Sequence, residues 1–169
     1  MFAKPPTDLE SGRLALAAAA AAVGGSEESV KTYPEFQRLL VRRGNESVLV
    51  DLVIDRAPDI DPHVEEQQGI RLHSLREIAA NKVCALVGRS EIRDLIDLRA
   101  ILQRGFNLAT VLRDAERKDA GVSAATLAWL LDAVRIGPDA QLSGGMSAEE
   151  LNNFRLSLVS KLRALALPP

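Results

Sequence analysis

Alternation of apolar and polar residues predicts a small sheet in the first third of the chain. The clearest segment is 47–55, where every second residue is apolar and Asp51 lies on the opposite face. Gly44-Asn45 favours the tight turn of an antiparallel hairpin between this segment and a second strand over 36–42. The second strand has two mixed faces, one with Phe36, Arg38, Leu40 and Arg42 and the other with Gln37, Leu39 and Val41. A shorter strand is predicted over residues 29–33. The apolar face of 47–55 consists of Val48, Val50, Leu52 and Ile54.

Apolar residues spaced three and four apart predict helices on both sides of this sheet. The first helix starts at a capping box formed by Thr7 and Glu10 and runs to about Val23, where Gly24-Gly25 ends it. The later helices are predicted over 74–87 and 91–103, after Asn107, from Ser123 to Gly137-Pro138, and after a capping box at Ser147 and Glu150. Residues 58–68 and 141–145 are predicted to be loops, and 69–73 a short extended segment.

The order of these elements predicts an α+β fold: a small, mainly antiparallel sheet with an N-terminal helix, followed by a C-terminal helical bundle. We expect two parts, an α/β part over residues 1–68 and a helical part over residues 69–169. A chain of 169 residues has room for this arrangement with a substantial core.

Composition narrows the classes of function. The formal net charge is −2, so the chain lacks a strongly basic footprint, and an aromatic content of 4% argues against a stacking platform for single strands. A single cysteine, Cys84, rules out a disulfide within the chain and fits a reducing cytoplasm. The alanine-rich run 14–23 is too short to span a bilayer and follows acidic residues, unlike a signal peptide. We therefore expect a cytoplasmic protein that does not bind membranes.

A lysine interrupts the apolar stripe of the predicted helix 74–87. Lys82 lies four residues after Ile78 and four before Leu86, which both belong to the stripe. Lysine seldom stays buried unless it is paired, and a position near the middle of a helix makes it harder for the side chain to reach solvent. A cation that contacts a phosphate or a buried carboxylate fits this pattern at least as well as a side chain that extends to the surface.

A charged group of residues follows, where we expect this helix and the next to meet at Gly88. Its members are Arg89, Arg93, Asp94 and Asp97. The arginines can present guanidinium groups to a phosphate or a carboxylate, and Arg93 and Asp97 are spaced to pair along the helix. The alternative is a solvated, salt-bridged helix start. Together with Lys82, the group favours a binding site.

Asp51 is the candidate metal ligand of the sheet. Strand alternation places Asp51 and Asp55 on one face, where carboxylates can help to hold a divalent cation. The alternative is a solvent-facing acid on a one-sided sheet, and spacing alone favours this alternative.

The remaining side chains indicate no further chemistry. His63 and His73 have no partner at zinc-ligand spacing, and Cys84 is expected to be an ordinary thiol. Trp129 is expected in the core.

Residues 75–98 resemble the signature of the AbiEii/AbiGii-type nucleotidyltransferase toxins of bacterial abortive-infection and toxin–antitoxin systems. That signature has a lysine within an apolar helix, an arginine about two turns later, and then Arg-Asp followed by another Asp. In this chain it is matched in order by Lys82, Arg89, Arg93-Asp94 and Asp97. The strand around Asp51 resembles the family's strand that carries the third catalytic carboxylate. The matching segments extend over about residues 30–105.

This resemblance implies a fold like that of the polymerase-β-like nucleotidyltransferases. It also implies transfer of a nucleoside monophosphate from a nucleoside triphosphate, with Mg²⁺, to RNA (tRNA ends among the candidates) or to protein. The implied catalytic residues are Asp51, Lys82, Asp94 and Asp97, with Asp51 as the metal ligand. The implied nucleotide and phosphate contacts are Lys82, Arg89 and Arg93. The implied partners are a cognate antitoxin protein and an RNA acceptor.

The chain departs from the family pattern in its acidic pair. The family's Asp-x-Asp precedes the strand of the third carboxylate, whereas Asp59 and Asp61 follow that strand here, in a proline-containing loop. We therefore expect a member without its first catalytic segment, with impaired turnover and with exposed sheet surface that favours a homo-oligomer. The alternative is a non-catalytic nucleotide- or partner-binding module in which Lys82 and the Arg/Asp group form a structural ion-pair network.

Overall fold

The computed structural model describes residues 2–3, 8–61, 65–67, 70–140, 142 and 145–167. It consists of two compact units, Met1–Ala57 and Pro58–Pro169. The chain has an α+β fold with the predicted order of a helix, a mainly antiparallel sheet and a helical part. The predicted division into domains at residues 68 and 69 stays a prediction.

The N-terminal unit is a sheet with one helix packed on it. Its elements are β1 (Phe2–Ala3), α1 (Leu9–Ala22), β2 (Ser26–Tyr33), β3 (Phe36–Arg43) and β4 (Glu46–Ile54). The strand order is β1-β4-β3-β2. Neighbours among β2, β3 and β4 pair antiparallel, and β1 pairs parallel to β4.

The predicted apolar face of β4 is confirmed as part of the core of this unit. Leu39 and Leu52 are buried together with Leu9 of α1, and Val50 and Ile54 pack against them. The tight turn at Gly44 is also confirmed, with φ of +58° in the left-handed region that glycine adopts at low cost.

Two local predictions in this unit were wrong. The N-cap of α1 is Asp8, whose Oδ1 accepts a hydrogen bond from the backbone N of Ser11 at 2.8 Å, so the helix begins one residue later than the predicted box. Strand β2 starts at Ser26 rather than 29, because its polar first residues pair with β3 through the backbone. Backbone pairing does not require an alternating side-chain pattern.

The C-terminal unit is helical, with one short hairpin before the helices. Its elements are β5 (Glu65–Gln67), β6 (Ile70–Leu72), α2 (Leu75–Arg89), α3 (Ile92–Gln103), α4 (Leu108–Lys118), α5 (Ala124–Ala133) and α6 (Ala148–Ala166). The core consists of apolar residues from every one of these helices, among them Val83, Leu98, Val111, Leu127 and Leu158. The predicted loop 58–68 therefore contains a strand. The predicted linker 141–145 lies partly outside the described residues.

Helix ends account for two further differences from prediction. Helix α2 continues through Gly88 to Arg89 and ends at Ser90, a left-handed C-cap with φ of 51°. Helix α5 ends at Ala133, before the predicted Gly137-Pro138, and the Nη1 of the buried Arg155 donates to the carbonyl of Leu131 at 2.8 Å. A cation that satisfies terminal carbonyls favours a helix end at that point.

Trp129 is 71% exposed, so its prediction as a core residue was wrong. Helix α5 buries Leu127, Ala128 and Leu131, and the tryptophan lies on the opposite side of the helix. None of the helices that the structure describes combines the length and the apolar character needed to cross a membrane.

Candidate functional site

Helices α2 and α3 bring four of the predicted site residues into one group, which we call the Lys82 cluster. It consists of Lys82, Arg89, Asp94 and Asp97. Asp94 is fully buried and accepts from Arg89 through both oxygens, Nε to Oδ2 at 2.8 Å and Nη2 to Oδ1 at 3.0 Å. Lys82 Nζ lies 3.1 Å from Asp94 Oδ1 and 2.5 Å from Asp97 Oδ2. Lys82 thus contacts a buried carboxylate, as one of the two sequence interpretations expects.

The turn between α2 and α3 makes this geometry accessible. Ser90 has a left-handed backbone, which turns the chain directly after Arg89, and its Oγ donates to the carbonyl of Leu86 at 3.0 Å. Asp94 follows in the first turn of α3, where a carboxylate interacts favourably with the helix dipole. The local sequence therefore places two cations of α2 against one acid of α3.

The charges of the cluster stabilise one another. Burial acts against the charged form of Lys82, but hydrogen bonds to Asp97 and Asp94 raise the pKa of its ammonium above the usual value. Burial likewise acts against ionisation of Asp94, and hydrogen bonds from Arg89 and Lys82 hold the pKa of this carboxyl below the usual value. Lys82 and Asp94 are therefore both charged at neutral pH, and Lys82 keeps 25% of its side chain exposed.

Arg93 lies beside the cluster rather than in it. Its side chain is 66% exposed, and its Nε lies 2.5 Å from Glu91 Oε2. The predicted pair between Arg93 and Asp97 was wrong, since Asp97 is paired with Lys82 of the other helix. Residue spacing within one helix cannot reveal a partner that is supplied by a neighbouring helix.

Asp51 lies in the N-terminal unit, on the face of β4 opposite the apolar core. It is directly across from Arg38 of β3. Arg38 holds both carboxylate oxygens, Nε to Oδ1 at 2.7 Å and Nη2 to Oδ2 at 2.8 Å. These hydrogen bonds lower the pKa of the Asp51 carboxyl below its usual value. A bidentate pair of this kind orients the carboxylate while leaving it partly accessible.

The described residues do not provide a complete magnesium site. Mg²⁺ requires near-octahedral oxygen coordination, usually with one or two carboxylates, several waters and the substrate phosphates. Both oxygens of Asp51 are already bonded to Arg38. Within the described ranges, no three His, Cys, Asp or Glu side chains are grouped so that they could share a metal ion. Asp51 by itself would therefore hold Mg²⁺ poorly.

A second charged group, which sequence reasoning missed, also includes a residue of α2. We call it the Glu77 cluster: Glu77, Lys118 and the backbone of residues 58–61. Glu77 Oε2 accepts from the backbone N of Ile60 at 2.7 Å, and Lys118 donates both to Glu77 Oε1 and to the carbonyl of Pro58. Despite the opposing effect of burial, these bonds lower the pKa of Glu77.

Ser74 and Glu77 have the spacing of a capping box, and half of that box is present. Ser74 Oγ accepts from the backbone N of Glu77 at 3.2 Å. The Glu77 carboxylate does not complete the box, because it accepts from the backbone N of Ile60 and from Lys118. The burial of Glu77 could have been found from its spacing to apolar residues of the same helix. Glu77 lies three residues before Ala80 and six before Val83, which are both buried. An acid at helical spacing to core residues indicates a buried charge as well as a cap.

Comparison with known proteins identifies the family. The family model described as "Nucleotidyl transferase AbiEii toxin, Type IV TA system" matches residues 6–164. Among solved structures, a "putative nucleotidyltransferase from H. pylori" has 25% sequence identity and a TM-score of 0.45, over 85% of this chain and 69% of that one. No curated protein matches the chain. The match extends over nearly the whole sequence, and this chain therefore belongs to the AbiEii nucleotidyltransferase toxin family.

Proposed function

We propose that this protein binds a nucleoside triphosphate through the Lys82 cluster and transfers the nucleoside monophosphate to RNA, such as a tRNA end, or to protein. The observation that supports this proposal is the arrangement around Asp94. Two cations, Lys82 and Arg89, share one fully buried carboxylate, and both cations remain partly exposed.

Pairing in the cluster leaves its cations available to an incoming anion. Asp94 holds Lys82 and Arg89 from the buried side, whereas the other partner of Lys82, Asp97, is half-exposed. A triphosphate could replace Asp97 as the partner of Lys82 without disturbing Asp94. Arg89 offers a guanidinium group, which suits phosphate recognition because of its planar donor geometry.

The reaction of this type is an in-line displacement at the α-phosphorus. The acceptor hydroxyl oxygen forms a bond to phosphorus, the bond from phosphorus to the β-phosphate oxygen breaks, and pyrophosphate leaves while the hydroxyl proton passes to a base. Lys82 and Arg89 would neutralise phosphate charge during this step. Proteins of this family generally use a divalent metal ion, for which Asp51 would be a weak ligand because Arg38 already holds both of its carboxylate oxygens. Because Asp51 alone is a weak metal site, we expect slow turnover.

Nucleotide binding tests this proposal most directly. Isothermal titration calorimetry with ATP, GTP, CTP and UTP, each with Mg²⁺, should show binding of at least one triphosphate. Lys82→Ala should weaken that binding at least about tenfold, since a charge-assisted contact to phosphate contributes about 1.5–3 kcal/mol. Lys161→Ala is the matched control, because Lys161 is an exposed lysine on α6 of the same unit. Binding that is unchanged in Lys82→Ala would contradict the proposal.

A second candidate is a binding module that does not turn over. The pairing supports it, since every carboxylate of the Lys82 cluster already has a cation. The family description places its members in a toxin–antitoxin system, so a cognate antitoxin is the partner to test. Single-turnover incubation with radiolabelled triphosphate and RNA separates the candidates: label transfer that requires Lys82 supports the enzyme, and binding without transfer supports the module.

A further inference from the structure

The hairpin between β2 and β3 presents two aromatic rings and two cations on one face of the sheet. We call this group the hairpin patch: Lys31, Tyr33, Phe36 and Arg38. Tyr33 is paired across the strands with Phe36, and Lys31 with Arg38. The ring centroids lie 6.4 Å apart, Lys31 Nζ is 5.1 Å from the Tyr33 centroid, and Arg38 Cζ is 5.6 Å from the Phe36 centroid.

The hairpin patch is on the face of the sheet away from α1. Along β3, Leu39 points to the helix-covered core, and Phe36 and Arg38 lie on the opposite face by strand alternation. Tyr33 is 53% exposed, and Lys31 is exposed as well. An exposed tyrosine ring at this position contributes little to the core, which makes a binding role worth testing.

Asp51 is the immediate neighbour of this patch. Arg38 belongs to the patch and is also the bidentate partner of Asp51. The three residues Lys31, Arg38 and Asp51 therefore form one row across β2, β3 and β4. A ligand stacked on Tyr33 and Phe36 would lie one strand away from the carboxylate that the family resemblance assigns to catalysis.

From this juxtaposition we propose that the hairpin patch binds the single-stranded end of the RNA acceptor next to Asp51. Bases would stack on Tyr33 and Phe36, and Lys31 would contact the adjoining phosphate. This inference rests on the proposed function, because it assigns the acceptor side of the same reaction.

The chemistry of the patch favours a single-stranded nucleic acid over a protein. Aromatic side chains interleaved with cations are the common platform for unpaired bases, whose π-faces stack whatever the sequence. Arg42 lies on the same face of β3 as Arg38 by strand alternation, and it is exposed. The chain has only six aromatic residues, four Phe, one Tyr and one Trp, and two of them meet in this hairpin. A low overall aromatic content therefore does not exclude a local stacking platform.

Fluorescence anisotropy with a labelled, unstructured 12-nucleotide RNA tests the proposal. Tyr33→Ala should weaken binding by about 5- to 150-fold, the range found when a stacking side chain is removed, and Tyr33→Trp should retain it. Lys31→Gln should lower the salt dependence of binding by about one counterion, as expected for one lost phosphate contact. Trp129→Ala is the matched control, because it removes an exposed aromatic side chain from the other unit.

Each outcome has a defined meaning. Wild-type affinity in Tyr33→Ala, or no RNA binding by the wild-type chain, would overturn the proposal. Loss of self-association in Tyr33→Ala without an effect on RNA would also overturn it and would identify the patch as a protein contact. Circular dichroism of Tyr33→Ala and the retained binding of Tyr33→Trp show whether the hairpin is still folded.

Nucleotide calorimetry separates this inference from the proposed function. Tyr33→Ala should bind triphosphate as tightly as the wild-type chain, and Lys82→Ala should bind RNA as tightly. If triphosphate binding is absent but RNA binding depends on Tyr33, the proposed function fails and the patch assignment holds. If triphosphate binds and RNA binding is unchanged in Tyr33→Ala, the patch assignment alone fails.

Discussion

Helix α2 contributes to two charged clusters that differ in their access to solvent. In the Glu77 cluster the side chains of Glu77 and Lys118 are 1% and 3% exposed, and backbone groups complete their hydrogen bonding. In the Lys82 cluster only Asp94 is fully buried, and Asp97 is 49% exposed. Both clusters pair carboxylates with cations, but the pair in the Glu77 cluster is buried and the Lys82 cluster is partly exposed.

This difference separates a structural role from a binding role. Among the described residues, the carboxylate that pairs with Lys118 is the buried Glu77, so Lys118 has no exposed carboxylate that an incoming anion could replace. The Lys82 cluster has one buried partner and one exposed partner, so Lys82 can exchange the exposed one. The buried Asp94 holds Lys82 in place, and the exposed side of Lys82 is thereby preorganised to bind a ligand.

Removal of the buried acid should give the largest effect. Glu77→Ala should lower the free energy of unfolding by about 3–5 kcal/mol, because it leaves Lys118 buried without a counter-charge. Urea denaturation measures this value. Asp97→Ala, at the open cluster, should cost less than about 1 kcal/mol. A combined Glu77→Leu and Lys118→Met variant should recover much of the loss. Equal costs for Glu77→Ala and Asp97→Ala would remove the distinction between the clusters.

Acid should weaken both clusters through their buried carboxylates. The pKa values of Glu77 and Asp94 in the folded protein lie below the ordinary values of 4.5 and 3.8, so their stabilisation is present above those values and is lost as the pH falls further. The free energy of unfolding should therefore decrease from pH 5 to pH 2.5. Urea denaturation across this range should show a shallower decrease for Glu77→Gln. A flat wild-type profile would count against ionised, paired carboxylates.

Substitutions of Ser90 test whether the turn before the Lys82 cluster requires a left-handed backbone. Ser90→Val should cost about 1–3 kcal/mol, because a β-branched residue tolerates the left-handed backbone poorly. Ser90→Gly should be nearly neutral, since relief of the backbone strain offsets the lost hydrogen bond from Oγ to Leu86. Thermal denaturation compares the two variants. Val and Gly variants of equal stability would show that the turn does not require the left-handed conformation.

The smallest effect should be the coupling between Lys82 and Asp97. A double-mutant cycle with alanine at both positions should give a coupling of at most about 1 kcal/mol in unfolding, reduced further by salt, because the pair is partly exposed. A coupling above about 2 kcal/mol would show that the cluster is mainly a structural ion-pair network. Urea denaturation at 0.05 and 0.5 M NaCl provides both values.

Local patterns were sufficient for much of the fold. Alternation located β3 and β4 and the core face that contains Leu52, because a half-buried strand imposes a period of two on its own residues. Side-chain capping similarly located the starts of several helices, such as the capping box at Ser147. The order Lys82, Arg89, Asp94 indicated the family, which the family model confirms.

The sequence analysis mainly failed to predict which side chains pair between different helices and strands. The pair of Arg38 with Asp51 and the pair of Glu77 with Lys118 join residues 13 and 41 positions apart, and nothing in the local pattern links them. Trp129 was placed in the core because tryptophan is usually well buried. Its exposure depends on which side of α5 faces the other helices, and the apolar residues on both sides of this short helix conceal that choice.

The sequence by itself determined the α+β order, the positions of β3 and β4 and of the turn between them, and the family signature around Lys82. These properties depend on neighbours within a few residues, where backbone sterics and periodicity act directly. Only the tertiary structure decided which charges are closed off and which are open to a ligand, and that Tyr33 and Phe36 meet beside Asp51. Solvent access and cross-strand pairing depend on how distant segments pack, and that packing is a property of the whole unit rather than of any one segment.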